Sequence, residues 1–258
     1  MKPGVTSWFQ AARPIFDRIE ATQSSAIEKT SQVCADAIAD GGMVHLFGTG
    51  HSRVPVEEMF PRYGSYPGFN PIVELSMTFH TQVVGANGQR QAMYIERVPG
   101  LAEVILQNFH FGPKDAMIVF SAGGRTAVPV EMARGARRRG LPVIAVTSVA
   151  QSKAGEVDPE VGGRLLDEAD IVIDLCTPPA DALCPLEGLD TPVGPSTTFA
   201  AIAVADAIKV RTAQLLTERG KMPPVITSST VVDTRRSEEL FEAAYEEHAR
   251  RLARVLST

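Results

Sequence analysis

Apolar residues follow a helical spacing in the first part of the chain and then change their period. Between Ser7 and Asp40 they recur mostly at helical intervals, and the "DGG" that begins at Asp40 supplies a stop. This predicts a helical lead-in that is broken or kinked near Pro14. Further along, short apolar runs alternate with longer amphipathic segments, and the runs read MVHLF, PIVEL, AMIVF, PVIAV and DIVIDL. Strands covered on both faces show such runs, so the pattern predicts a parallel α/β sheet between helices.

The clearest crossover helix lies between AMIVF and PVIAV. Thr126 can cap its start and Gly140 can end it, while the apolar residues between them would face the sheet. The chain closes with a charged amphipathic helix. We therefore predict one domain over residues 1–258, with a helical lead-in (1–40), an α/β core (41–219) and a C-terminal tail and helix (220–258).

Composition and charge exclude several classes of partner. The 258 residues carry a formal net charge of -5 and have a pI of about 5.6. Basic residues are scattered apart from Arg137–Arg139, so no basic stripe is present for nucleic acid. The longest apolar run, TFAAIAVADAIKV, is interrupted by Asp206 and Lys209 and is too short to span a membrane. Three cysteines without a CxxC pair, and an N-terminus without a signal-peptide pattern, predict a reduced, cytoplasmic location.

Glycines and small hydroxyl residues follow three of the predicted strands. Because ligands of open parallel sheets bind beyond the carboxyl ends of the strands, these segments should lie close together. Their N–H groups, hydroxyls and adjoining helix N-termini suit a phosphate, so we predict an anionic, phosphorylated ligand. The segments are GTGHS at 48–52, SAGGRT at 121–126, and TS at 147–148 with Ser152 further on.

Motifs for other cofactors fit poorly. GTGHSR has the first two glycines of a dinucleotide fingerprint but Arg53 in place of the third, and no phosphate-binding loop of the GxxxxGK type occurs. Cys176 and Cys184 lie in a proline-rich loop without a second pair of metal ligands. A rigid loop over the pocket or over a subunit interface is the better interpretation of that segment. We therefore predict no metal and no cofactor.

Taken together, these segments resemble the sugar isomerase (SIS) domain family. The resemblance is carried by FGTGHS, FSAGGRT, AVTS with a later serine, and GPSTTFAAIAVADAI, and it covers about Gly41 to Thr217. It implies a flavodoxin-like, three-layer α-β-α sandwich with a five-stranded parallel sheet, in a homodimer or homotetramer that binds a sugar phosphate. Many members have a serine where this chain has Gly123, so one hydroxyl contact is either lost or replaced by a backbone N–H. By position, the implied phosphate contacts are Gly50, Ser52, Ser121, Gly124, Thr126, Thr147, Ser148 and Ser152.

Carboxylates near the first loop are candidates for acid-base chemistry. Moving a carbonyl between neighbouring sugar carbons needs a base and an acid. Glu57 and Glu58 lie in the first turns of the helix after Ser52, with side chains about 100° apart, so only one can face the pocket. VEEMFPRYG resembles the segment that carries the catalytic glutamate of phosphoheptose isomerases, and this resemblance places Glu58 at the base position. In this chain the distance from the serine to the glutamates is about one helical turn shorter than in those isomerases. Glu74 at the end of NPIVE is a second candidate base, and His51 is either a phosphate donor, the acid for ring opening or a plain loop residue.

These residues leave three functions open. We favour an aldose-ketose isomerase that acts on a sugar phosphate or amino-sugar phosphate through an enediol. The alternatives are a phosphosugar lyase or etherase of the muramic acid 6-phosphate type and a non-catalytic sugar-phosphate sensor. Phosphoheptose isomerases also bring a histidine from their C-terminal helix, often with zinc, but the segment from Ser196 to Glu218 has none. Outside the loops, His45 is expected to be a satisfied sheet residue, and Arg125 to pair with either phosphate or an acidic neighbour.

Overall fold

The computed structural model describes residues 6–78 and 89–256. In this part of the chain a long helix precedes alternating strands and helices. The strands are β1 (Val44–Gly48), β2 (Phe69–Ile72), β3 (Ala116–Phe120), β4 (Val143–Thr147), β5 (Ile171–Asp174), β6 (Ala182–Cys184) and β7 (Val193–Pro195). The helices are α1 (Thr6–Ala39), α2 (Arg53–Glu58), α3 (Leu75–Thr78), α4 (Gln89–Ile95), α5 (Leu101–Leu106), α6 (Ala127–Arg138), α7 (Val149–Ala154), α8 (Leu165–Glu168), α9 (Thr197–Glu218) and α10 (Thr234–Leu256).

The first five strands form one parallel sheet with the order β2-β1-β3-β4-β5. Near its centre Val44 lies beside Phe69 of β2 and beside Ala116 of β3. Every residue of β1, β3 and β4 is buried, which explains why these segments lack an alternation of polar and apolar residues. The predicted five-stranded parallel sheet is confirmed.

Helices cover both faces of this sheet. Ile118 and Phe120 of β3 belong to the core that includes α1 and α9, which contact each other. Met117 and Val119 of the same strand belong to the opposite core, which includes α5 and α6. Because successive side chains of a strand point to opposite faces, one apolar run supplies both cores. The predicted three-layer α-β-α sandwich with an N-terminal helix is therefore also confirmed.

Two elements differ in detail from the predictions. The helix α1 is not broken at Pro14 but runs without interruption from Thr6 to Ala39, and Ile15 and Ile19, which follow the proline, are buried in the core. Their packing offsets the hydrogen bond that a proline inside a helix removes. The strand β2 begins earlier than PIVEL and contains Pro71, which an edge strand tolerates. Glu74 consequently follows the strand by two residues instead of lying at its end.

The proline-rich loop after β5 leads into a small antiparallel pair formed by β6 and β7. Cys176 and Cys184 are both free thiols. Within residues 6–78 and 89–256, no three metal-binding side chains lie close enough together to hold a metal ion. None of the helices described combines the length and the apolar character needed to cross a bilayer. The cytoplasmic location and the homodimer or homotetramer stay predictions.

A buried polar network ties α10 to the amino ends of the strands. The ring nitrogens of His45 lie 3.2 Å from Asp115 Oδ2 and 3.0 Å from Asn70 Nδ2. Asp115 also accepts a hydrogen bond from Arg254 at 2.6 Å. Burial acts to raise the pKa of Asp115, but hydrogen bonds from His45, Arg254 and two backbone N–H groups lower it overall. His45 is thus a satisfied sheet residue, and its network lies at the opposite end of the sheet from the predicted site.

Candidate active site

A cavity of about 710 Å³ opens at the carboxyl ends of β1 and β3. From β1 the chain forms β2 on one side of β1, and it then crosses over to form β3 on the other side. The strand order therefore reverses between β1 and β3. Open α/β sheets bind ligands at such a switch point because the loops on either side leave a crevice. The wall of this cavity is formed by the turns after β1 and β3, by α4 and by the start of α9. Its size is that of a small-molecule site.

The turn after β1 brings Ser52 to the cavity. Gly48 is required at its start, because an added Cβ would overlap the backbone carbonyl of Ser52. Gly50 has a φ of 54°, a left-handed conformation that glycine adopts without strain. The N–H of Ser52 donates to the carbonyl of Thr49 at 3.0 Å and closes the turn. Gly50, the exposed His51 and Ser52 all line the cavity.

The turn after β3 forms the facing part of the wall. The N–H of Gly124 donates to Ser121 Oγ at 3.1 Å, which holds the turn closed. Thr126 directly precedes α6, but its side chain makes no capping hydrogen bond, so the expectation that its hydroxyl caps this helix is wrong. That hydroxyl is therefore available to a ligand. Ser121, Gly124 and Thr126 all line the cavity, opposite Ser52.

Three other predicted phosphate contacts lie behind the wall. Thr147, Ser148 and Ser152 are fully buried and are not among the residues that line the cavity. Thr147 Oγ1 donates to the carbonyl of Ala122 at 3.2 Å and so supports the turn after β3. Ser148 Oγ donates to the carbonyl of Thr177 at 3.1 Å and accepts from a backbone N–H of α7, which it caps. The hydroxyls of Thr147 and Ser148 serve the protein's own backbone, so we do not retain these two residues as phosphate contacts. Ser152 Oγ has no hydrogen-bond partner among the residues described, and its role as a phosphate contact stays a prediction.

The glutamates that were candidate bases also lie outside this wall. Glu58 ends α2, accepts a hydrogen bond from Arg62 at 2.8 Å and lies 3.7 Å from Lys209 Nζ of α9. Glu57 beside it is exposed. Neither Glu58 nor Glu74 is among the described residues that line the cavity. Because α2 directs the carboxylate of Glu58 towards α9 and away from the switch point, the geometry does not favour it as the base.

A carboxylate that the sequence pattern did not single out faces the cavity instead. Glu96 Oε2 accepts a hydrogen bond from Thr49 Oγ1 at 2.7 Å, and its backbone carbonyl accepts from the N–H of Val128 at 3.0 Å. Glu96 therefore joins the turn after β1 to the first turn of α6. Burial raises the pKa of Glu96, against the opposing effects of the Thr49 hydrogen bond and of Arg97. A partly desolvated carboxylate in a cleft is a candidate general base.

The proline-rich loop closes another side of the cavity. Asp181 accepts hydrogen bonds from the N–H groups of Ser196 at 2.9 Å and Thr197 at 2.7 Å. It thereby caps α9 from outside the helix and places a negative charge at the positive end of the helix dipole. Its own φ of 62° is unusual for a residue other than glycine. Other charged residues in the wall are Arg97, Arg125, Glu156 and Asp158.

Fold and site together define an α/β protein with a ligand cavity at the switch point of a parallel sheet. The family model for the SIS domain matches residues 7–148, so the chain belongs to the SIS domain family. Among its relatives, a UPF0309 protein of Streptomyces griseus is 32% identical over 224 residues, which are 87% of this chain and 88% of that protein. A UPF0309 protein of Halalkalibacterium halodurans is 30% identical over 231 residues, 90% of this chain and 93% of that one.

Solved structures with a similar fold include two phosphoheptose isomerases. The one from Francisella tularensis superposes with a TM-score of 0.53 at 14% identity and covers 81% of this chain and 96% of its own. The one from Neisseria gonorrhoeae superposes with a TM-score of 0.50 at 13% identity and covers 83% of this chain and 97% of its own. At such identities the likeness concerns the fold, and it confirms the SIS fold that the sequence motifs predict.

Proposed function

We propose that this protein binds a sugar phosphate in the cavity and that Glu96 abstracts a proton beside the sugar carbonyl. The observation that carries the proposal is the position of Glu96 between the turns after β1 and β3. Hydroxyls of Ser52, Ser121 and Thr126 in those turns are the proposed phosphate contacts. Membership of the SIS domain family supports a sugar phosphate as the class of ligand.

The proposed reaction is the interconversion of an aldose phosphate and a ketose phosphate. Glu96 takes a proton from the carbon beside the carbonyl while an acid protonates the carbonyl oxygen, which gives an enediol. Glu96 then returns the proton to the former carbonyl carbon while the deprotonated acid takes the proton of the other hydroxyl group, so that the carbonyl forms at that second carbon and both groups return to their starting state. The Thr49 hydroxyl orients the carboxylate, and burial makes it a stronger base than an exposed glutamate. His51, which lines the same cavity, is the proposed acid.

The size of the cavity supports a second candidate, an elimination. Its volume of about 710 Å³ is in the upper half of the range for small-molecule sites, which is about 300–1,000 Å³. Such a cavity has room for a sugar phosphate that carries a substituent. When the substituent lies on the carbon beyond the one that loses the proton, the same abstraction expels it, as in a phosphosugar lyase or etherase. A sensor would bind the sugar phosphate and catalyse neither reaction.

A ligand screen followed by product analysis tests the proposal. We expect sugar phosphates to raise the unfolding temperature, because a ligand present at 100 times its Kd stabilises the native state by about 2.7 kcal/mol. The same sugars without phosphate are the controls and should give little shift. NMR of the bound sugar phosphates should then show aldose-ketose conversion. Stabilisation by nucleotides and by no sugar phosphate would overturn the proposal, and binding without any turnover would indicate a sensor.

A further inference from the structure

An arginine with an unused donor lies in the turn after β3. Arg125 lines the cavity, and its guanidinium lies over Gly155, where an added Cβ would overlap it. Its Nη1 faces the carbonyl of Glu156 at 3.5 Å, which is a long contact. Its Nε–H is buried and has no acceptor among the residues described. A buried donor left without an acceptor costs free energy, so it is a position where a ligand oxygen would be stabilising.

The guanidinium lies within contact distance of the position that a side chain at Gly123 would occupy. A Cβ built on Gly123 would lie 3.7 Å from both Nε and Nη2 of Arg125 and 4.0 Å from Oε1 of Gln151. Gln151 also lines the cavity, and its Oε1 is likewise buried without a partner in the described part of the chain. A half-turn of this amide would present its NH₂ group as a donor. The missing side chain at position 123 thus leaves a gap between a guanidinium and an amide.

The charges around the cavity indicate why a cation is needed there. Glu156 and Asp158 line the cavity near this turn, and the hydroxyl groups of the turns carry no charge. A phosphate dianion beside these carboxylates would be repelled unless a positive charge were closer to it. Arg97, the other arginine in the wall, is exposed and lies at the end of α4. Arg125 is the arginine located within the turn itself.

We propose that Arg125 provides the charged contact to the substrate's phosphate, with Gln151 as a second donor, in the gap that Gly123 leaves. This inference rests on the proposed function and adds the residue that selects for the charged group. The planar guanidinium can present two N–H groups to two phosphate oxygens, a geometry that a lysine cannot reproduce. Gly155 becomes a supporting requirement, because a side chain there would push the guanidinium out of position.

Calorimetric titration with glucose 6-phosphate, fructose 6-phosphate, glucosamine 6-phosphate and inorganic phosphate tests the inference. We expect Arg125→Gln to raise Kd about 10- to 100-fold, the loss typical of a hydrogen bond to a charged group. Gly155→Ala should raise Kd by a similar factor even though Arg125 is retained. The Kd of Arg125→Lys should lie between that of the wild type and that of Arg125→Gln. Arg138→Gln, which removes the same charge from a side chain that does not line the cavity, is the matched control.

A rescue variant distinguishes phosphate binding by Arg125 from a purely structural role of this residue. A serine at position 123 meets only ordinary contacts, so Gly123→Ser in the Arg125→Gln background should recover about 3- to 10-fold in affinity by supplying a hydroxyl. Wild-type affinity should also weaken with salt more steeply than that of Arg125→Gln. Unchanged affinity in both Arg125→Gln and Gly155→Ala would overturn this inference and leave the proposed function standing. If the wild type binds none of these four compounds and no other sugar phosphate stabilises it in the thermal screen, both this inference and the proposed function are overturned.

Discussion

Replacing Gly124 with alanine measures how closely the turn after β3 is packed. Gly124 has a φ of 55°, and this left-handed conformation costs a residue with a Cβ about 1–2 kcal/mol. The added Cβ would also lie 3.1 Å from Thr147 Oγ1 and 3.2 Å from Leu165 Cβ. Both contacts are tight, so these neighbours must shift, and overpacking of this kind costs about a further 1–3 kcal/mol. We therefore expect Gly124→Ala to lower the free energy of unfolding by about 2–5 kcal/mol.

Gly50 provides the matched control for this substitution. Its φ of 54° is almost the same, but no atom lies within 4 Å of the position that a Cβ would take. Gly50→Ala should therefore cost only the conformational part, about 1–2 kcal/mol. Equilibrium unfolding in urea measures the loss in free energy of unfolding for each variant, and we expect the m-value to stay unchanged in both. Equal losses would show that Thr147 and Leu165 yield without cost, and would refute the claim that the turn is closely packed.

Three further predictions concern single carboxylates. Because burial raises the pKa of Glu96, its contribution to stability is present below the unfolded-state pKa and is lost as the pH rises through the folded-state pKa. Glu96→Gln should therefore melt at a higher temperature than the wild type at neutral pH, with the gain shrinking as the pH is lowered; a gain independent of pH would contradict this. Glu58→Gln should keep near-wild-type turnover of the substrate found in the screen, and a loss of 100-fold or more, ~2.7 kcal/mol, would return Glu58 to the catalytic centre. Asp181→Ala should lower the free energy of unfolding through loss of the α9 cap, about 0.5–2 kcal/mol, and through the strain of alanine at the left-handed φ of 62°. Asp181→Asn keeps an acceptor and tolerates this φ, so its loss should be smaller. A larger loss for Asp181→Asn than for Asp181→Ala in calorimetric melting would exclude capping.

Much of the fold could be predicted because its signals are local. Buried parallel strands read as short apolar runs, and four of the five runs lie within one residue of the observed strands. The exception is β2, where Pro71 allows pairing on one side only and the strand begins at Phe69. The course of α1 through Pro14 was not predictable either, because it depends on packing against residues far away in the sequence.

The candidate site was predictable only in part, for a related reason. Ser52, Ser121 and Thr126 follow strands in glycine-containing turns, and the structure places all of them at the cavity. Thr147 and Ser148 carry the same local signal, but backbone carbonyls of neighbouring segments accept their hydroxyl groups. A residue's position after a strand therefore does not tell whether its hydroxyl is available.

The carboxylates show the same limitation more strongly. Glu58 stands next to a phosphate-type turn in the sequence, yet its charge is directed to Arg62 and towards Lys209 of α9. Glu96 has no motif around it, and its partner Thr49 lies 47 residues away. Glu96 is a candidate only because the segment just after α4 contacts the turn after β1 and the first turn of α6, and periodicity along the chain holds no information about those contacts.

The most direct test of Glu96 as the base is solvent deuterium exchange into the sugar phosphate that stabilises the protein most. In D₂O, the wild type should incorporate deuterium at a carbon beside the carbonyl, as followed by NMR. Glu96→Gln should bind the same compound with a similar Kd but exchange about 100- to 10,000-fold more slowly, the contribution typical of general base catalysis. Equal exchange by the two proteins would contradict the account and assign the proton transfer to another residue.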